Sequence, residues 1–279
     1  MISERAPGKV NLVLQVGNAR ADGLHELCSL FASVELADTL TVELGAGDAD
    51  EVICPGVDGP NLVTAALAAF RRAAPEAALA PLRVTIEKRV PVAAGMGGGS
   101  GDAAAALRAA NAIAGGPLDA EALRAVAAQV GADVPSQVEP RHALVTGAGE
   151  HVEPLELPDM ALVLVPSPDG MSTAEVYREA DRLGATREQL DPERVRALAA
   201  ATLAELAAGL ENDLEQAALS LRPPLAATLA ALRDAGALAA RITGSGPTAF
   251  GVFADRSAAG EAAALFSGSL VTSLAQPDG

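Results

Sequence analysis

Residues 82–113, LRVTIEKRVPVAAGMGGGSGDAAAALRAANAI, constrain this chain more than any other stretch. Leu82, Val84 and Ile86 alternate with Arg83, Thr85 and Glu87, the period-2 pattern of a half-buried strand. Pro91 ends that ladder, and a glycine-rich turn runs from Gly95 to Gly101. Asp102-Ala-Ala-Ala-Ala-Leu-Arg-Ala-Ala then predicts a helix. Backbone without Cβ atoms lets N–H groups close on an anion, and the unpaired N–H groups and positive dipole end of the helix add to the same place. Ser100, at the junction, can cap the helix or turn its hydroxyl to a ligand. Two readings stand, a flexible turn before an ordinary helix and a phosphate site. Four glycines within residues 97–101, all at one strand–helix junction, favour the phosphate site. It is not a P-loop, because no Lys follows the glycines, and not a dinucleotide fingerprint, because the sixth position from Gly95 is Ser100.

The rest of the composition narrows the partners. At 279 residues the chain suits two ordinary domains or one large one. Half of it is apolar, but with no Trp and one Tyr the core must be aliphatic, with much of it Ala. A formal charge of −16 argues against nucleic acid or an anionic membrane as partner, since a phosphate backbone needs a basic stripe. Cys28 and Cys54 have no metal-type spacing and read as free thiols in a reducing compartment. His25, His142 and His151 lie too far apart to spell a zinc site, and no metal ligand is predicted. The start, MISERAPGKV, is charged and unlike a secretory signal, and no apolar run is long enough to span a membrane, so a cytoplasmic protein is expected.

Along the chain, Ala6-Pro7-Gly8 turns into a strand on which Lys9 and Asn11 share one face. That face is either solvated or functional. Arg20-Ala-Asp22-Gly23 predicts a turn, and Phe31–Leu44 predicts further strands broken by a turn at Asp38-Thr39. Asn61 can cap a helix from Leu62 to about Ala73, with Leu62, Ala66, Leu67 and Phe70 as its buried stripe. Gly115-Gly116-Pro117 breaks the chain, Asp119 caps the next helix and Gly131 ends it. Asp133, two residues before Pro135, could simply cap a short helical turn. Strands follow at 142–146 and 151–157. A domain boundary is placed near Pro158, giving domains 1–158 and 159–279. Beyond it come a strand at 161–165, a helix carrying Tyr177 and capped at Ser172-Thr173, and a solvated charged stretch from Asp181 to Arg196. Helices follow around 195–208, 212–220 and 223–235. Ala240–Thr243 leads into a second glycine turn, Gly244-Ser245-Gly246-Pro247, then a strand at 249–253, a helix at 256–266 and a strand at 270–274. The second half thus reads as an α+β sandwich.

Pro91-Val92-Ala93-Ala94-Gly95-Met96-Gly97-Gly98-Gly99-Ser100 and Thr243-Gly244-Ser245-Gly246-Pro247 resemble two motifs of the GHMP kinases, the superfamily of galactokinase and of homoserine and mevalonate kinases. Pro7-Gly8-Lys9-Val10-Asn11-Leu12, Asp22-Gly23-Leu24-His25, Gly131-Ala132-Asp133-Val134-Pro135 and Glu211-Asn212-Asp213 narrow the resemblance to a branch that phosphorylates a cytidine-diphosphate-linked alcohol in isoprenoid synthesis. These blocks stand in order over nearly the whole chain.

The resemblance implies a two-lobed α+β fold, its N-terminal mixed sheet holding a left-handed β-α-β unit and its C-terminal lobe an α/β sandwich, with the active cleft between lobes. It implies ATP and Mg²⁺, with Asp133 as base and Lys9 beside the reacting oxygens. Asn61 and Lys88 would line the adenosine pocket, against bland alternatives of helix cap and solvated strand end. Pro91 through Gly101 would cradle the triphosphate. Asn11, His25, Tyr177 and the turn Gly244-Ser245-Gly246 would meet the substrate, His25 at the cytosine edge and Tyr177 on one base face, unless Tyr177 is only a half-buried helix residue. Three positions depart from the usual pattern: Leu24 replaces a Tyr at the second base face, Gly101 a Ser, and Asp102 an Asn. Asp102 is expected to face the helix rather than the nucleotide. Two other outcomes stay open, a GHMP kinase for an alcohol without cytidine and a catalytically silent nucleotide-binding relative.

Overall fold

The computed structural model describes residues 1–21, 23–57, 59–167 and 169–275; Asp22, one of the motif residues above, lies outside them. The chain forms two compact units built from separated segments. The first holds Met1–Gly8, Leu36–Val90 and Gly97–Pro140, the second Lys9–Glu35, Pro91–Met96 and the chain from Arg141 onward.

Two long strands come first, β1 (Ile2–Ala19) and β2 (His25–Leu44), then β3 (Glu51–Ile53), α1 (Leu62–Ala73), β4 (Leu82–Glu87), α2 (Gly98–Ile113) and α3 (Ala120–Ala128). They are followed by β5 (Ala143–Gly147), β6 (His151–Pro154), β7 (Ala161–Val165), α4 (Thr173–Leu183), α5 (Pro192–Ala199) and α6 (Leu203–Ala208). Last come β8 (Glu211–Asn212), α7 (Glu215–Leu221), α8 (Pro224–Asp234), β9 (Ala239–Ile242), β10 (Ala249–Phe253), α9 (Arg256–Ala263) and β11 (Leu270–Ser273). One sheet has the order β3-β4-β2-β1-β8, with β5 on β2 and β6 on β5. Its β3–β4 and β1–β8 pairs are parallel, while β2 is antiparallel to both β4 and β5, so the sheet is mixed, as expected. β3, α1 and β4 make a parallel β-α-β unit. The second sheet, β11-β7-β10-β9, is antiparallel throughout.

In the first unit the period-2 reading of β4 holds residue by residue. Leu82, Val84 and Ile86 are buried, and they pair with Leu44, Val42 and Leu40 of β2. Over this face lie α1 and α2, which pack on each other. The Ala content finds its use here. Ala103–Ala106, Ala109 and Ala110 are all buried, and such small side chains let α2 come close to its neighbours. The second unit has its own core, formed by Val163 of β7, Val176 and Ala180 of α4, Ala217 and Ala218 of α7, Leu229 and Leu232 of α8 and Phe253 of β10.

Four local expectations are corrected. There is no turn at Asp38-Thr39: β2 runs on through both, because Asp38 is fully buried and its carboxylate takes two backbone N–H groups and an ammonium. α2 begins at Gly98, not after the glycines, with left-handed Gly97 at its N-cap and Ser100 inside the first turn; no side chain caps it. Leu62 is 38% exposed, and Val63 takes its place in the buried stripe of α1. The helix expected over 212–220 begins at Glu215, since Glu211 and Asn212 pair with Val13 and Leu14 of β1. Both cysteines are free thiols. Among the described residues no helix is long and apolar enough to cross a membrane.

Candidate active site

Lys9 and Asn11 do share one face of β1, and that face is buried: they are 4% and 3% exposed. Lys9 Nζ donates to Asn11 Oδ1 at 2.6 Å and lies 4.7 Å from the centre of the Phe31 ring. Asn11 is held on every side. Its Nδ2 donates to Ser29 Oγ at 2.9 Å, its backbone N–H to Thr243 Oγ1 at 3.1 Å, and Ser29 Oγ in turn donates to Val13 O. Thr243 Oγ1 in turn has Gly95 O at 3.1 Å as an acceptor, and Lys9 N donates to Met96 O at 2.9 Å. The first strand therefore grips the Pro91–Met96 loop and the second glycine turn together.

Those two turns also touch directly. Gly95 has φ +73°, and a Cβ there would run into the carbonyl oxygen of Thr243; a Cβ on Gly244 would lie 3.0 Å from Gly95 O. Only glycine fits at Gly95, for backbone conformation and for space. Ala93, with φ +53°, is held left-handed in the same loop, in which Val92 is 57% exposed. Behind the second turn Asn212 Nδ2 donates to the carbonyls of Ile242 and Gly244, each at 2.9 Å, and Ser245 Oγ is 3.0 Å from Thr173 Oγ1 at the start of α4.

His25 and Tyr177, from β2 and α4, come together: their ring centres are 5.1 Å apart at 44°. His25 Nδ1 donates to Gly17 O at 2.8 Å, and Nε2 faces Asp181 at 3.5 Å. Leu24 is half exposed.

In the first unit Asn61 caps α1, its Oδ1 accepting from Val63 N at 2.9 Å. Lys88 is not a solvated strand end. Its ammonium bonds the carboxylates of Asp38 and Asp102, and its side chain is 14% exposed. Burial lowers the affinity of Lys88 for its proton, and the two carboxylates more than reverse this. Burial pushes Asp102 up to about 6 against the pull of Lys88. Asp102 thus turns to Lys88, whose ammonium lies at the start of α2. Asp133 is half-buried; its backbone oxygen accepts from Ser136 Oγ at 2.8 Å, and the cap of the short helical turn Pro135–Gln137 falls on Val134, not on Asp133. Gly97, Gly98, Gly99, Ser100 and Gly101 form the N-cap and first turn of α2.

Sequence reasoning missed Ser29, which orients Asn11, and Asp38. The signal for Asp38 was parity: it stands in phase with Val34, Leu40 and Val42, all buried.

Two sheets, a glycine loop running into a helix N-terminus, and a second glycine turn bonded to a buried Lys–Asn pair are the parts of a GHMP kinase. The family models agree. "GHMP kinases N terminal domain" matches residues 61–139 and "GHMP kinases C terminal" residues 195–267. The chain is 43% identical over 258 residues to the 4-diphosphocytidyl-2-C-methyl-D-erythritol kinase of Mycolicibacterium gilvum, covering 88% of this chain and 80% of that one. To the enzyme of the same name from Streptomyces coelicolor it is 44% identical, covering 88% and 86%. A crystal structure of 4-(cytidine 5'-diphospho)-2C-methyl-D-erythritol kinase superposes with a TM-score of 0.80 at 33% identity, covering 99% of this chain and 100% of that one. The chain belongs to the 4-diphosphocytidyl-2-C-methyl-D-erythritol kinase family.

Proposed function

We propose that the protein transfers the γ-phosphoryl group of ATP to the 2-hydroxyl of 4-diphosphocytidyl-2-C-methyl-D-erythritol, in non-mevalonate isoprenoid synthesis. The buried Lys9–Asn11 pair, bonded through Thr243 to Gly95, carries this reading from the side of chemistry. An amine kept from solvent beside two glycine turns is suited to the negative charge that develops as a phosphoryl group moves.

In the step, the substrate oxygen bonds to the γ-phosphorus, the bond to the β-bridging oxygen breaks, ADP leaves and Asp133 takes the hydroxyl proton. Lys9 offsets the negative charge that develops on the reacting oxygens, and Asn11 orients Lys9. Pro91 through Gly101 cradle the triphosphate, mostly through backbone N–H groups, so positioning supplies much of the acceleration. Asn61 and Lys88 line the adenosine pocket. His25 bonds the cytosine edge, Tyr177 covers one base face and Leu24 the other, while Gly244, Ser245 and Gly246 meet the substrate. No group of three or more His, Cys, Asp or Glu among the described residues is placed to hold a metal. Mg²⁺ bound with ATP would offset the charge of its phosphates. Two sequence domains, 1–158 and 159–279, and a cytoplasmic setting, which the free thiols support, complete the reading.

The test is ADP release by purified protein with ATP, Mg²⁺ and a panel of alcohols. Turnover is expected with the cytidine-diphosphate-linked substrate and not with homoserine, mevalonate or galactose. Equal turnover of the same polyol phosphate without cytidine would sink the substrate assignment. ATP binding with no transfer to any alcohol would mark a catalytically silent relative instead.

A further inference from the structure

Lys88 follows directly on β4 and is the hub of a buried ionic cluster. Asp38, from the middle of β2, bonds it with one carboxylate oxygen and with the other accepts Arg89 N at 2.5 Å and Val90 N at 2.8 Å. One carboxylate therefore holds the three residues that leave β4 towards the glycine loop. Asp102, in the second turn of α2, bonds the same ammonium at 2.8 Å. The strand exit and the helix start are also in close contact, since a Cβ on Gly98 would lie 3.0 Å from Val90 Cγ1 and 3.3 Å from Lys88 Nζ.

This cluster is a poor choice for stability alone. Two carboxylates on one ammonium leave a buried excess of negative charge, and Asp102 Oδ1 is buried with no hydrogen-bond partner. Such groups cost folding energy that an apolar trio would not. Burial raises Asp102, Lys88 lowers it and the like charge of Asp38 raises it again; the Cys54 thiol, itself raised by burial, feels all three.

We propose that Asp38 and Asp102 are positioning residues for ATP. Acting through Lys88, they fix the first turn of α2 against the exit of β4 so that its N–H groups and the Lys88 ammonium stand ready for the nucleotide. The proposal rests on the reading of the Pro91–Gly101 loop as the triphosphate site. Both carboxylates act through Lys88 and the backbone beside it, and their effect is confined to the ATP side of the reaction.

The experiment is steady-state kinetics of the full chain, wild type, Asp38→Asn and Asp102→Asn, with both substrates varied from pH 5.5 to 8.5 and thermal stability recorded in parallel. Asp38→Asn is expected to raise KM for ATP at least tenfold, with kcat at saturating ATP and KM for the alcohol within twofold. Asp102→Asn is expected to raise KM for ATP severalfold at pH 8 and to lose the wild type's change in that KM near pH 6. Titration of ATP itself is common to both proteins and drops out of the comparison. If Asp38→Asn does not fold, Asp102→Asn decides alone, because it removes a buried charge and is expected to fold. Unchanged KM for ATP in a folded variant, or an equal rise in KM for the alcohol, overturns the proposal. Absence of ADP release by the wild type overturns the kinase reading beneath it, so the two failures are told apart.

Discussion

Asp133 and Lys9, the two residues proposed to act on the reacting oxygens, are also where sequence and structure divide the work. Asp133 was open to a bland reading as the cap of a helical turn, but that position is Val134. Asp133→Asn keeps size and polarity while removing the proposed base. It should lower kcat by ~10²–10⁴-fold with KM for ATP little changed and the same unfolding midpoint in urea. A variant with near wild-type kcat would take the proton elsewhere. Asp102 yields a prediction of the opposite kind, about stability. Its pKa is raised in the folded chain from 3.8 to about 6, so its contribution is fully present below pH 3.8 and is lost as pH rises through 6. Asp102→Asn should therefore stabilise the protein at pH 7.5 by about 1–3 kcal/mol, the gain shrinking below pH 6. Urea unfolding at the two pH values checks it, and a loss of stability at pH 7.5 counts against it.

The helices show which local signals can be trusted. Asn61, Asp119, Ser172 and Asp255 each cap a helix by accepting from a backbone N–H two or three residues on, within reach of the chain itself. Asp119 has no other part in the proposed site, so Asp119→Ala isolates the cap. It should cost ~1 kcal/mol in urea unfolding and leave turnover unchanged. The start of α2 was not legible in the same way. Propensity placed it after the glycines, since each Gly in a helix costs ~1 kcal/mol. The packing of Gly98 against Val90 and of Gly101, whose Cβ would lie 3.1 Å from Pro7 O, reverses that preference. β8 was invisible for a related reason. Two residues carry no period, and only their pairing with Val13 and Leu14 makes them a strand.

Across the whole molecule, pH acts through several groups at once. Burial would raise Asp50, but its bonds to Arg71 and Leu82 N hold it below its ordinary 3.8. Gln15, Arg187 and Arg194 likewise hold Glu211 below 4.5 against the effect of burial. Depressed carboxylates contribute stability above those values that is lost as pH falls through the lower folded ones. Burial lowers His142 below its usual 6.5, which adds a loss beginning at milder acidity. Asp102 and Glu215, raised mainly by burial, act in the opposite sense and blunt that early loss. The expected profile is a shallow decline from pH 6.5 to 4.5 and a steep one below it. A midpoint temperature that collapses already above pH 5 would refute this account.

The sequence by itself determined the family, through short motifs in order, and it determined the elements whose signals act within a few residues: caps, positive-φ glycines and the alternation of β4. Only the tertiary structure decided that Lys9 and Asn11 are buried, that Asp38 belongs inside a strand and that Lys88 is an ionic hub. Each of these depends on partners far along the chain, Asn11 on Thr243 across 232 positions and Lys88 on Asp38 across 50. A charged or amide side chain has no preference of its own for the interior. It goes there only when the fold brings enough hydrogen-bonding groups to replace the water it leaves.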